Sequence, residues 1–155
     1  MQLRRAREGD VEAACAVVRC SITELCAEDY RHDPAVLARW LANKAPENFR
    51  RWAAREDAEL CVAVEDDHIL AVGMVAWDGE ILLNYTAPEA CRRGASTALM
   101  AHLEAALQAR GLNRAWLYST HLARGFYLRR GYAEIGRIES RFGTLDAIEM
   151  AKRLG

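Results

Sequence analysis

The residues Glu80 to Gln108, EILLNYTAPEACRRGASTALMAHLEAALQ, decide how the rest of the chain is read. An apolar strand from Ile81 to Thr86 runs into Pro88, turns through Glu89-Ala90-Cys91-Arg92-Arg93-Gly94, and opens onto a long amphipathic helix. A strand that ends in a tight turn at a helix N-terminus leaves several backbone N–H groups unpaired and pointing one way. With the positive end of the helix dipole they make a seat for an anion, usually a phosphate. Arg92 and Arg93 add charge where such a ligand would lie, and Gly94 takes away the Cβ that would block close approach.

Working outward, Leu60-Cys61-Val62-Ala63-Val64 and Ile69 to Val75 read as apolar strands, with Asp66-Asp67 as a hairpin turn between them. Asp78-Gly79 is a second hairpin signal and leads into the strand after Glu80. Three successive strands joined by tight turns are antiparallel. Beyond Gly94, Leu99, Leu103, Ala106 and Leu107 give the helix its apolar face, and Gly111 stops it. Ala115-Trp116-Leu117-Tyr118 is reached through that helix, so it should run parallel to the Glu80 strand. A short helix over 123–129 and two strands, Ala133 to Ser140 and Leu145 to Met150, complete the C-terminal part. Upstream, Gln2 to Ala6 reads as an edge strand. Asp10 is the expected N-cap of a helix to about residue 26, Asp33-Pro34 opens a second, shorter helix, and Pro46-Glu47 opens a third segment with Phe49, Trp52 and Ala53 as its apolar residues.

Two stretches in this order resemble the GCN5-related N-acetyltransferases, the GNAT superfamily. The first is the turn itself, where the family pattern strand-Pro-x-x-(Arg/Gln)-x-x-Gly-x-(Gly/Ala) is matched by Pro88 and Gly94. Cys91 stands in place of Arg or Gln, and Ser96 in place of the second small residue. The other is Thr120-His121-Leu122-Ala123-Arg124-Gly125-Phe126-Tyr127-Leu128-Arg129-Arg130-Gly131-Tyr132, which departs from the family's second motif only in Thr120 for Asn. Gly94 and Tyr127 lie 33 residues apart. The resemblance implies a single domain over 1–155 with an α/β fold. A mixed, mostly antiparallel, splayed central sheet of about seven strands would be flanked by helices, as in the acyl-CoA N-acyltransferases.

The resemblance also implies a reaction and a site. Acetyl-coenzyme A (acetyl-CoA) would be the co-substrate, its acetyl group passing directly to a primary amine on a small molecule or a peptide. Its pantetheine arm would pair with the backbone of Asn84, Tyr85 and Thr86. Its pyrophosphate would sit on Arg92, Arg93, Gly94, Ala95, Ser96 and Thr97, and Thr120 would offer the pantetheine a hydroxyl. Tyr127 occupies the family's general-acid position. Glu80 falls where histone-type members carry a catalytic glutamate, although a hairpin-end glutamate is more often simply solvated. Glu24, Glu28, Asp29 and Tyr30 lie in the region that walls the acceptor pocket. The alternative reading is a non-catalytic module that senses acyl-CoA, and a homodimer is compatible with either.

Composition narrows the remaining classes. The chain has 155 residues, 52% hydrophobic and 28% charged, with no apolar run long enough for a membrane span. MQLRRAREGD lacks the apolar stretch of a secretion signal, and five cysteines without a C-x-x-C pair fit reduced thiols, the first four (Cys15, Cys20, Cys26 and Cys61) reading as buried small apolar side chains, so a cytoplasmic location is expected. The four histidines are scattered, and no metal is expected. Residues 1–89 carry 10 Lys/Arg against 17 Asp/Glu, whereas residues 90–141 carry 9 against 3. The basic half suits a ligand with several phosphates and the acidic half a cationic acceptor. Arginines without interleaved exposed aromatics argue against a nucleic-acid partner.

Overall fold

The computed structural model describes residues 1–155. Its strands are β1 (Gln2–Arg5), β2 (Ala58–Glu65), β3 (His68–Ala76), β4 (Ile81–Thr86), β5 (Arg114–Ser119), β6 (Ala133–Ile138) and β7 (Ala147–Arg153). The helices are α1 (Val11–Leu25), α2 (Pro34–Leu41), α3 (Pro46–Ala53), α4 (Ala95–Ala109) and α5 (Arg124–Arg129). No helix is long and apolar enough to cross a membrane.

The seven strands form two antiparallel sheets, β1-β2-β3-β4 and β5-β7-β6. They touch at one point, a parallel bridge between Glu80 and Trp116, where the Trp116 N–H donates to the Gly79 carbonyl at 3.0 Å. Beyond that bridge β4 and β5 diverge. The edge of β4 facing β5 is left without a strand partner while its other edge pairs with β3 from Ala71 to Val75. The expected splayed sheet is therefore two sheets hinged at Glu80.

β2 and β3 are buried on both faces, which is why they read as continuous apolar runs rather than alternating ones. Cys61, Ala63, Ala71 and Val75 face α4 and pack with Leu99, Leu103 and Leu107. Leu60, Val62, Val72 and Met74 face the other way, onto Val18, Ile22 and Phe49 of α1 and α3. Gly73 lets α4 settle close to the sheet, since a Cβ there would lie 2.9 Å from Leu99 Cδ2. Asp66 and Asp67 both take positive φ, 51° and 62°, in the tight hairpin their sequence announced.

Two local expectations change. Asp10 makes no cap bond to α1; its carboxylate turns back to accept from the Arg7 N–H at 2.7 Å and the Arg4 guanidinium at 2.7 Å. The salt bridge outcompetes the cap and fastens β1 to the turn before α1. Cys20, read as a buried small apolar residue, is exposed on α1, while Cys15, Cys26 and Cys61 are buried; all five cysteines are free thiols.

Candidate active site

The turn after β4 has the backbone geometry its sequence implied. Pro88–Ala90 forms a short 3-10 turn, Arg92 and Gly94 take φ values of 66° and 83°, and α4 begins at Ala95. The glycine is required by this left-handed φ; an added Cβ would meet no protein atom within 4 Å. The N–H groups of Gly94, Ala95, Ser96 and Thr97 find no acceptor within the chain, and the first intrahelical bond runs from Ala98 to Gly94. No acidic residue lies in the first turn of α4. These free donors border a cavity of about 630 Å³ that runs between the splayed strands, bounded by β4, β5 and α5.

Of the residues expected around a cofactor, Asn84, Tyr85, Thr86, Arg92, Gly94, Ala95, Ser96, Thr97, Thr120 and Tyr127 all line this cavity. Arg93 does not; it turns outward to pair with Glu65 at 3.1 Å. The Thr120 hydroxyl accepts from the Ala123 N–H at 3.2 Å, closing the turn that leads into α5.

Tyr127 is 5% exposed, with its ring edge-on to Phe126 and Tyr132 at centroid distances of 5.3 and 5.6 Å. Its hydroxyl accepts a hydrogen bond from Asn84 Nδ2 at 3.0 Å, and Asn84 Oδ1 in turn accepts from Ser96 Oγ at 3.2 Å. The relay fixes the amide, occupies a lone pair of the phenol, and leaves the phenolic proton free to donate. Burial pushes this phenol up to about 12, with the Asn84 hydrogen bond pulling the other way.

On the far side of the splay lies a second cleft of about 420 Å³. It shares Tyr85, Tyr118, Ser119 and Thr120 with the cofactor-side cavity, so the two spaces meet across the diverging strands. Glu80 lines this cleft and not the first cavity. Burial and the neighbouring Asp78 charge raise its pKa above the usual carboxylate value, against an opposing pull from Arg55. Asp29 also borders the cleft, but its carboxylate is engaged by the N–H groups of His121 at 2.8 Å and Leu122 at 3.3 Å. It ties the loop after α1 to the turn before α5. Glu24 and Glu28 are exposed and border neither space, and the Tyr30 hydroxyl donates to the Thr23 carbonyl at 2.8 Å.

Several residues at these spaces escaped the sequence reading. Arg130 lines the first cavity, stacks 4.1 Å from the Phe126 ring centroid and donates to Thr97 Oγ1, so it bridges the starts and ends of α4 and α5. Its buried Nε has no acceptor, which fits a group waiting for a phosphate oxygen. The Arg129-Arg130 pair inside the second motif was the available signal. Trp40 and Phe142 wall the second cleft from distant segments, with nothing local to announce them. The fold also gathers Glu59, Cys61 and His102, whose ligand atoms lie within 4.8 Å of one another, a cluster the scattered spacing concealed. The Cys61 thiol donates to Glu59 there, and burial pushes it up, opposing the thiolate that a metal needs.

A strand-turn-helix junction with free N–H donors, a slot between splayed strands and a buried tyrosine beside it are what the resemblance implies for an acyl-CoA-dependent N-acetyltransferase. The family model for the acetyltransferase (GNAT) domain matches residues 26–154, and the chain belongs to that family. Among solved structures it is similar to a GCN5-related N-acetyltransferase from Rhodopseudomonas palustris, with 23% identity, TM-score 0.87, and 99% and 95% of the two chains covered. It is also similar to the PaiA N-acetyltransferase of Thermoplasma acidophilum in complex with coenzyme A, at 18% identity, TM-score 0.82 and 98% coverage of each chain. A third, ribosomal-protein-alanine N-acetyltransferase from Brucella melitensis, has 16% identity and TM-score 0.75, with 99% of this chain and 100% of that one covered. Comparison with curated proteins gives no match.

Proposed function

We propose that the protein transfers an acetyl group from acetyl-CoA directly to a primary amine held in the second cleft. The observation that carries this reading is the junction of the two spaces at Tyr85, Tyr118, Ser119 and Thr120, where a thioester on one side and an amine on the other can meet. The free N–H groups of residues 94–97, with Arg92 and Arg130, would hold the phosphates. The unpaired edge of β4 at Asn84, Tyr85 and Thr86 would receive the amides of the pantetheine arm.

When bound, acetyl-CoA supplies an acyl carbon that the amine attacks while the carbon–sulfur bond breaks. The phenolic O–H of Tyr127 would donate a hydrogen bond to the departing sulfur. A free thiol is already a stronger acid than a phenol, and burial raises the phenol further, so full proton transfer would be uphill and hydrogen bonding is the larger part of its contribution. Glu80 is the candidate to take the amine proton, directly or through water, and its raised pKa suits that task.

Acetyl-CoA at about 100 times its dissociation constant should stabilise the fold by about 2.7 kcal/mol, and thiol release over an amine panel should follow. Binding without release for any amine would favour an acyl-CoA sensor instead. As a base, Glu80 works only when ionised, so activity should fall as pH drops through its raised pKa. Glu80→Gln should cut turnover about 10²-fold, the low end of a general-base effect, and abolish that acid limb; an unchanged pH profile would remove Glu80 from the mechanism.

A further inference from the structure

The acceptor cleft continues into a recess of about 320 Å³, with which it shares Trp40, Glu80, Tyr85, Tyr118, Arg141 and Phe142. Lys44 closes this recess from the turn between α2 and α3 and is only 5% exposed. Its Nζ donates to the Trp40 carbonyl at 3.3 Å and to Asn43 Oδ1 at 2.6 Å, both neutral. Arg141 lines the same recess and lies against the same aromatic ring. The two cations lie 5.3 and 5.0 Å from the Phe142 centroid.

Neither cation has a counter-ion. No ion pair of the molecule involves Lys44 or Arg141, nor the nearby Arg19 and Arg39, which spend themselves on the carbonyls of Leu41, Lys44 and Phe142. An ammonium taken out of water without an anion is costly. Burial, then the charges of Arg141 and Arg19, pull the Lys44 ammonium down to about 8, so at neutral pH it still carries its proton and lacks a partner. Glu80 supplies the opposite sign in the same recess, beside the junction with the cofactor-side cavity. The wall between is aromatic: Trp40, Trp52, Tyr85 and Phe142.

We propose that Lys44 and Arg141 form a carboxylate-binding subsite and that the acceptor is a free amino acid with an aromatic or bulky apolar side chain. This rests on the acetyl-transfer reading and narrows it. The amine would lie toward Glu80 and the thioester, the carboxylate would complete Lys44 and Arg141, and the side chain would pack on the aromatic wall. A peptide N-terminus fits less well, because it has no free carboxylate at that end. The loop at 139–146 is also fastened across the cleft by Arg39 Nε to the Phe142 carbonyl at 3.1 Å and by Leu145 N–H to the Asp29 carbonyl at 2.9 Å.

The test is thiol release from acetyl-CoA with L-phenylalanine, phenethylamine, phenylalanine amide and a short peptide beginning with phenylalanine. The expected kcat/KM for phenylalanine exceeds that for phenethylamine by roughly 10- to 100-fold, the scale of a charge-assisted contact. Arg141→Ala, at an exposed position that the fold tolerates, and Lys44→Met should each collapse this ratio, chiefly through KM, with the acetyl-CoA dissociation constant unchanged. Equal use of phenethylamine, the amide or the peptide by the unaltered protein would overturn the subsite, as would a ratio that survives both substitutions. If no acceptor releases thiol, acetyl transfer itself fails, and calorimetry with 3-phenylpropionate decides the subsite separately. Binding that Arg141→Ala abolishes would support the subsite, and no binding at millimolar concentration would overturn it.

Discussion

The two sides of the splay are made by different means. On the cofactor side the functional groups are mostly backbone: N–H donors at the start of α4 and the unpaired edge of β4, both produced by a strand, a turn and a helix adjacent in sequence. On the proposed acceptor side they are side chains brought from three separate stretches, Trp40 and Lys44 around α2, Glu80 at the hinge, and Arg141 and Phe142 in the last loop. A backbone site tolerates substitution and survives as a short pattern. A side-chain site changes with every residue and leaves no pattern at all. Acceptor choice can thus drift while cofactor binding stays fixed.

Tyr127 lies on the cofactor side of the junction, and removing its hydroxyl should have the largest effect. Tyr127→Phe keeps the ring against Phe126 and Tyr132 but loses the donor, so turnover should fall by about 10²-fold or more with acetyl-CoA binding retained. Unchanged turnover in a steady-state thiol assay would take Tyr127 out of the chemistry and leave it as packing.

Next comes the strap between the sides. The Asp29 carboxylate is buried and receives two backbone N–H groups just ahead of α5, the helix that carries Tyr127. Asp29→Ala strands both donors and should cost about 2 kcal/mol of stability. For a chain of this size that is a drop of roughly 4–8 °C in melting temperature. A melting temperature within a degree of the unaltered protein would show that the strap carries no load.

This contrast also explains what could be read from the chain. The Asp78-Gly79 turn, the Pro88 to Gly94 turn and the apolar runs of β2 and β3 are local, and all were legible. That β7 inserts between β5 and β6, and that a single bridge at Glu80 joins two sheets, depends on packing that no short window records. Asp10 had the composition of a cap, but Arg4 lay six residues back and a charged partner prevailed. Arg93 and Arg92 are identical in kind and adjacent, yet only one faces the cavity, because positive φ at Arg92 turns successive side chains apart. Asp29 looked like a contact for the acceptor because its loop is in the right place, while its oxygens serve the backbone.

A smaller effect is expected from Ser96, a departure from the family pattern that acquires a use. Its hydroxyl holds the Asn84 amide, which holds the Tyr127 phenol. Ser96→Ala removes one neutral hydrogen bond, about 1 kcal/mol, and should lower kcat roughly fivefold through the loosened phenol. Because Ser96 acts through Tyr127, the same substitution made on Tyr127→Phe should add nothing to the loss. An additive double variant would place Ser96 on the cofactor alone.

The smallest expected change separates the two arginines of the turn. Arg93 is half-exposed and paired with Glu65 on the outside of the turn, a surface salt bridge of the kind that contributes under about 1 kcal/mol. Arg93→Ala should leave the acetyl-CoA dissociation constant within about twofold and its salt dependence unaltered. Arg92 is the informative comparison, and alanine is the right replacement, since Arg92 already carries a Cβ at φ 66° and alanine removes the charge without changing the backbone strain that glycine would relieve. Arg92→Ala should weaken cofactor binding several-fold and flatten its salt dependence, as expected for a cation facing phosphates. If Arg93→Ala proved the more damaging of the two, Arg93 would have to leave Glu65 and swing into the cavity when the ligand arrives. The cofactor side would then depend on side-chain rearrangement as much as the acceptor side does.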